Sequence, residues 1–206
     1  MAQQAQRSVV AITGGIGSGK SSVAACLGEL GEARGLNADS VCRQLLEPGA
    51  AGWLVVRQAF GERFFLANQR LDRPLLRKVL FEDQELRQKL NALLHPLVRN
   101  EIASWLEREM AQAQSPMRFV VEVPLLYEAG WEYDFSQVVV VYSAPQICLR
   151  RIILRDRISE AEAQKAFATQ MPLLDKALLA DHVIDNTGSW PDTCLQILHL
   201  RNLLWQ

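Results

Sequence analysis

Residues 9–23 read V-V-A-I-T-G-G-I-G-S-G-K-S-S-V, an apolar run breaking into a glycine-rich loop that ends in Lys-Ser. Gly14, Gly19, Lys20 and Ser21 fit the spacing G-x-x-x-x-G-K-[ST], and the apolar or small residues before Thr13 predict a buried strand feeding a loop. Such a loop turns successive backbone N–H groups inward on a polyphosphate, and the helix that follows adds the positive end of its dipole. Lys20 then reaches the β- and γ-phosphates, and the Ser21 hydroxyl is placed to ligate magnesium. A glycine-rich turn with a chance lysine would not need strand, loop and helix in this order.

Working outward, 206 residues with 49% hydrophobic content suit one domain, with room for an inserted subdomain. A formal net charge of -1 argues against a broad footprint for nucleic acid or an anionic membrane, so any cationic pocket must be local. Residues 1–8 carry a single Arg7 and lead into only a short apolar run, which reads as neither a signal peptide nor a membrane span. Cys26, Cys42, Cys148 and Cys194 form no C-x-x-C pair, and His95, His182 and His199 show no ligand spacing. This usage predicts reduced thiols, no zinc site and a cytoplasmic location.

The expected elements follow in order. A helix from Ser22 to Leu30 should lead to a weak second strand near residues 33–38, delivering Asp39 to the sheet edge where ligands of open α/β sheets bind. Asp39 is equally a candidate N-cap for a helix starting at Ser40. Residues 47–116 read as helical, with Asp72 capping before Pro74 and a break at His95-Pro96. A stretch so long between two strands is a candidate substrate subdomain, or an insertion that only stabilises or dimerises. Residues 119–123 and the V-V-V-V run at 137–142 predict the third and fourth strands. Arg150, Arg151, Arg155 and Arg157 then crowd eight residues. They form either a solvated helix face or part of a closing segment that stabilises phosphoryl transfer. Ser159 and Glu162 form a capping box, which places Arg155 and Arg157 at the base of a helical lid. A fifth strand at 182–184 and a C-terminal helix near 191–204 complete a doubly wound, five-stranded parallel α/β sheet.

A switch GTPase would need D-x-x-G after the third strand and N-K-x-D for guanine. The D-x-x-G here, Asp185 to Gly188, follows the last strand, and N-K-x-D is absent. A non-catalytic nucleotide-binding module would leave Lys20, Asp39 and the arginines unexplained together. Another small-molecule or nucleoside kinase of the same fold would keep them but have no use for so long a subdomain. The five tryptophans lack the basic stripe of a base-stacking platform and read as packing.

Taken together, T-G-G-I-G-S-G-K-S-S at 13–22, N-A-D at 37–39 with Arg43, L-L-H-P-L at 93–97, V-P-L-L-Y-E at 123–128, R-R-I-I-L-R-D at 150–156 and A-D-H-V-I-D-N-T-G at 180–188 resemble the dephospho-CoA kinase family. The likeness runs in order from about Val10 to Gly188. It implies a nucleoside-monophosphate-kinase type of fold with a nucleotide core at 8–46, 117–149 and 178–206, a helical CoA subdomain at 47–116 and a lid at 150–177. The implied reaction moves the ATP γ-phosphoryl group, with Mg²⁺, to the ribose 3′-hydroxyl of dephospho-CoA. By the same resemblance Gly15, Ile16, Gly17, Ser18, Gly19, Lys20, Ser21 and Ser22 hold the ATP phosphates, with Ser21 on the metal, and Asn186 lies near adenine. Lys20, Asp39 and Arg155 are the implied catalytic residues, and Asp39, Arg43, His95 and Glu128 lie on the substrate side. The family usually shows D-A-D where this chain has Asn37-Ala38-Asp39. The amide carries no charge for magnesium or a proton, so Asp39 alone is expected to orient the accepting hydroxyl.

Overall fold

The computed structural model describes residues 9–112 and 117–205. The N-terminal reading of residues 1–8, and the far end of the expected subdomain at 113–116, lie outside them. The described chain divides into two compact units, an α/β unit of residues 9–37 and 117–205 and a helical unit, Ala38–Gln112.

The α/β unit is built on five parallel strands in the order β2-β3-β1-β4-β5: β1 (Val9–Gly14), β2 (Arg34–Asn37), β3 (Phe119–Glu122), β4 (Gln137–Tyr142) and β5 (His182–Asp185). All six residues of β1 are buried, as a central strand covered on both faces requires. The sheet packs on α1 (Lys20–Gly31) through Val10, Ile12, Val23, Leu27, Val139 and Ile197, the last from α10 (Trp190–Leu204). The register sets Ile12 beside Glu122 and Asn37 beside Glu122. The strand ends that carry polar residues therefore meet at one edge.

Between β3 and β4 lies the short α6 (Leu126–Ala129), and after β4 come α7 (Pro145–Asp156), α8 (Glu160–Ala168) and α9 (Leu173–Leu179). The expected capping box opens α8, with Ser159 and Glu162 bonded reciprocally.

The helical unit comprises α2 (Ala38–Leu45), α3 (Ala51–Phe60), α4 (Arg73–Glu82) and α5 (Gln84–Gln112). Its core is Leu46, Val56, Phe64, Leu71, Leu76, Leu86, Leu90 and Leu94. Asp72 caps α4 by accepting the Leu75 N–H at 3.0 Å. Two expectations fail here. The helix break at Pro96 does not occur, because α5 runs through it. Leu86, Leu90, Leu94, Val98 and Ile102 bury one stripe on both sides of the proline, and that packing outweighs one missing N–H. Asp39 likewise does not precede its helix: α2 starts at Ala38, and Asp39 lies in the first turn, where a carboxylate complements the dipole. The unit boundary puts α2 with the other three helices.

Candidate active site

The loop from Gly14 to Gly19 leaves β1 and re-enters the fold as α1, with Gly19 in the left-handed region at φ 90°. Three glycines of the loop, Gly14, Gly17 and Gly19, are required by close approach. A Cβ on Gly17 would meet the Cys148 carbonyl oxygen at 2.5 Å, and one on Gly19 would collide with the Asn186 side chain. The loop is thus formed by what packs behind it. Arg151 Nη1 donates to the carbonyl oxygens of Gly17 and Ser18 at 3.4 Å, and its Nη2 donates to Asn186 O at 3.0 Å. Asn186 is buried; its Nδ2 donates to Ser18 O at 2.8 Å and its Oδ1 accepts from Thr193 at 3.0 Å. Holding carbonyls outward is the arrangement that turns a loop's remaining N–H groups toward an anion; the Ser18 N–H is already paired with the Gly15 carbonyl at 3.2 Å.

Lys20 and Ser21 open α1, where the positive end of the helix dipole favours negative charge. Behind Ser21 sits Glu122, only 6% exposed at the end of β3. One Glu122 oxygen accepts the Ser21 hydroxyl and the other accepts Asn37 Nδ2, each at 2.6 Å. The pairing gives the Asn37-Ala38-Asp39 sequence a physical reason. A carboxylate at position 37 would face Glu122 at hydrogen-bond distance, and two like charges there could not both ionise without a cation between them. The amide instead donates a hydrogen bond to that carboxylate. The Cys148 thiol, buried beside the loop, is pushed up by desolvation and stays an unreactive thiol.

Of the other expected residues in this unit, Arg155 is 60% exposed and makes a two-pronged pair with Asp156 at 2.8 and 2.9 Å. Glu128 is engaged by buried Lys176 and by the Met171 N–H. Glu122, Arg151 and Gln170 are the residues that sequence reasoning did not assign. A lone charge closing the apolar run Phe119–Glu122 was a readable signal for Glu122. Arg151 was hidden among four arginines, and Gln170 carries no motif at all.

In the helical unit, Asp39 and Arg43 lie one turn apart on α2, with Arg43 Nε donating to Asp39 O at 3.2 Å. Arg43 borders an open pocket of about 550 Å³ with Leu46, Glu47, Arg70, Leu71 and Arg73. Arg73 is steadied by Glu47 at 3.2 Å and by the Arg43 carbonyl at 3.3 Å. The opposite wall is a tight hairpin, Phe65 bridging Leu71, pinned by Trp53 Nε1 donating to Gln69 O at 2.8 Å. His95 lies on α5, and its burial lowers the imidazole pKa below the ordinary 6.5, which keeps the ring neutral at pH 7.

The family model for dephospho-CoA kinase matches residues 8–192. A dephospho-CoA kinase of Oceanobacillus iheyensis is 37% identical over 189 residues, 92% of this chain and 94% of the relative. A crystal structure from Thermus thermophilus superposes with TM-score 0.79 at 31% identity, covering 96% of this chain and 97% of that one. A dephospho-CoA kinase from Campylobacter jejuni shares the fold, with TM-score 0.67 at 24% identity over 95% of this chain and 96% of that one. A phosphate loop on a 2-3-1-4-5 parallel sheet, a family model spanning nearly the whole described chain and a relative of similar length agree: the chain belongs to the dephospho-CoA kinase family.

Proposed function

We propose that this chain carries out the reaction for which its family is named. It transfers the γ-phosphoryl group of ATP to the ribose 3′-hydroxyl of dephospho-CoA, giving CoA and ADP. The observation that carries the reading is the pre-built phosphate loop, with Lys20 and Ser21 at the start of α1 and Glu122 fixed behind Ser21. Lys20 and the loop amides neutralise the phosphates, and the charge that spreads over the transferred group is stabilised without reorganisation. Ser21 and Glu122 offer hard oxygen donors that fit Mg²⁺, which would be held there with the phosphates and supply further charge neutralisation.

Asp39 orients the accepting hydroxyl and takes its proton. One helical turn, about 6 Å of rise, separates it from Arg43, a spacing suited to a ribose 3′-oxygen and its 5′-phosphate. Arg43, Arg70 and Arg73 then meet the diphosphate, and Leu46 and Leu71 receive the apolar part of the arm. Arg155 closes on the transferring group from the lid, exchanging Asp156 for phosphate oxygens.

The deciding experiment follows ADP release from Mg-ATP with dephospho-CoA, adenosine, nucleoside monophosphates, gluconate and shikimate as acceptors. The expected outcome is selective turnover with dephospho-CoA and CoA as product. Equal or better turnover with a different acceptor defeats the assignment while leaving the kinase fold.

A further inference from the structure

Gln170 lies two residues beyond α8, outside every motif, yet its Oε1 accepts the backbone N–H of Ile16 at 2.8 Å. Ile16 is in the middle of the phosphate loop. The same segment supports the loop's first turn, because a Cβ on Gly15 would meet both Leu173 methyls at 3.6 Å and Gln170 Oε1 at 3.9 Å.

The segment is itself anchored from behind by a fully buried charge. Lys176 on α9 is 0% exposed. Its ammonium donates to both oxygens of Glu128, at 2.8 and 3.0 Å, and to the Pro124 carbonyl at 3.3 Å. Glu128 also accepts the N–H of Met171, the neighbour of Gln170, at 3.0 Å. Pro124 O accepts the Thr13 hydroxyl at 3.3 Å, and Thr13 is the residue that enters the loop. A closed circuit results: Thr13, Pro124, Lys176, Glu128, Met171, Gln170 and back to Ile16. Every member belongs to the α/β unit.

A buried ion pair is a poor source of stability, since well-packed apolar residues of the same volume often do as well; fixing one arrangement among several is a better-attested use. Fully satisfied, such a network is stiff. Here what it stiffens is the placement of one side-chain oxygen on one loop amide.

We propose that Gln170 is a positioning residue for the phosphate loop, and that the Glu128–Lys176 pair is the strut that holds it on the Ile16 amide. The loop is thereby ordered before nucleotide arrives, and ATP binds without meeting that ordering cost. The inference rests on the reading of the loop as the ATP site; the acceptor enters only as a control in the test.

The test uses Gln170→Met, which keeps length and packing but removes the acceptor oxygen. Calorimetry should show ATP Kd weakened about tenfold, the order of one lost hydrogen bond, with KM for dephospho-CoA within about twofold and faster hydrogen exchange at the Ile16 amide. Glu128→Leu/Lys176→Met removes both charges together, leaving none buried alone, and should weaken ATP similarly. Combined with Gln170→Met it should add nothing, because both act through one contact. Unchanged ATP affinity in Gln170→Met, equal losses for both substrates, or additive losses in the combined variant overturn the proposal. Should the strut variant fail to fold, Gln170→Met decides alone. Wild-type protein that binds no ATP would instead sink the reading of the loop, an outcome distinct from all of these.

Discussion

The two units solve opposite problems. In the α/β unit, buried polar side chains are woven into the core: Thr13, Ser18, Glu122, Ser143, Lys176, Asn186 and Thr193 all lie there. Among the described residues, none of the buried polar or charged side chains belongs to the helical unit, whose core is apolar and whose ion pairs are partly exposed: Arg57 with Glu62, Arg73 with Glu47, Arg108 with Glu101. A loop that must present N–H groups at fixed points has to be ordered in advance, and low-dielectric hydrogen bonds do that.

Asp39→Asn is expected to lower turnover by about 10²- to 10⁴-fold, the range of a positioned base, with stability changed by under about 1 kcal/mol, the share of an exposed carboxylate at a helix start. Turnover within a factor of two in a steady-state assay would reduce Asp39 to a carboxylate that only complements its helix. Next, Arg155→Ala should lower kcat by about 10²-fold with ATP affinity nearly intact, since its contact forms on closure. A raised KM at constant kcat would make it a ground-state binder.

The contrast in buried polarity can be broken directly. Glu122→Ala orphans the Ser21 hydroxyl and the Asn37 amide, and should cost about 1–3 kcal/mol in urea unfolding. A neutral result would mean that water replaces the carboxylate. A smaller effect follows pH. The His95 pKa is lowered in the folded state by burial, so the folded protein resists protonation that the unfolded chain accepts. Stability should be full above the unfolded value near 6.5 and decline as pH falls below it. His95→Gln should flatten that slope in thermal melts between pH 5 and 7, and an unaltered slope would place its origin elsewhere. Smallest of all, Glu101→Gln breaks the exposed pair with Arg108 and should change stability by under about 0.5 kcal/mol. A larger loss would show that the helical unit depends on its surface charges after all.

What was legible in the chain was what repeats over short distances. The loop, the valine-rich strand at 137–142, the Asp72 cap and the Ser159 capping box each depend on residues within a turn or two of one another, and each appears where local rules put it. The family could be read because several such motifs occur in order. What the tertiary structure decided is what joins residues far apart. Glu122 answers to Ser21 and Asn37, 101 and 85 positions away, and Gln170 to Ile16 across 154. Pro96 inside α5 belongs to the same class, since only a stripe buried on both sides keeps that helix whole. The reason is physical: propensity and capping act along the backbone, whereas a buried side chain takes its meaning from whichever groups the fold sets opposite it.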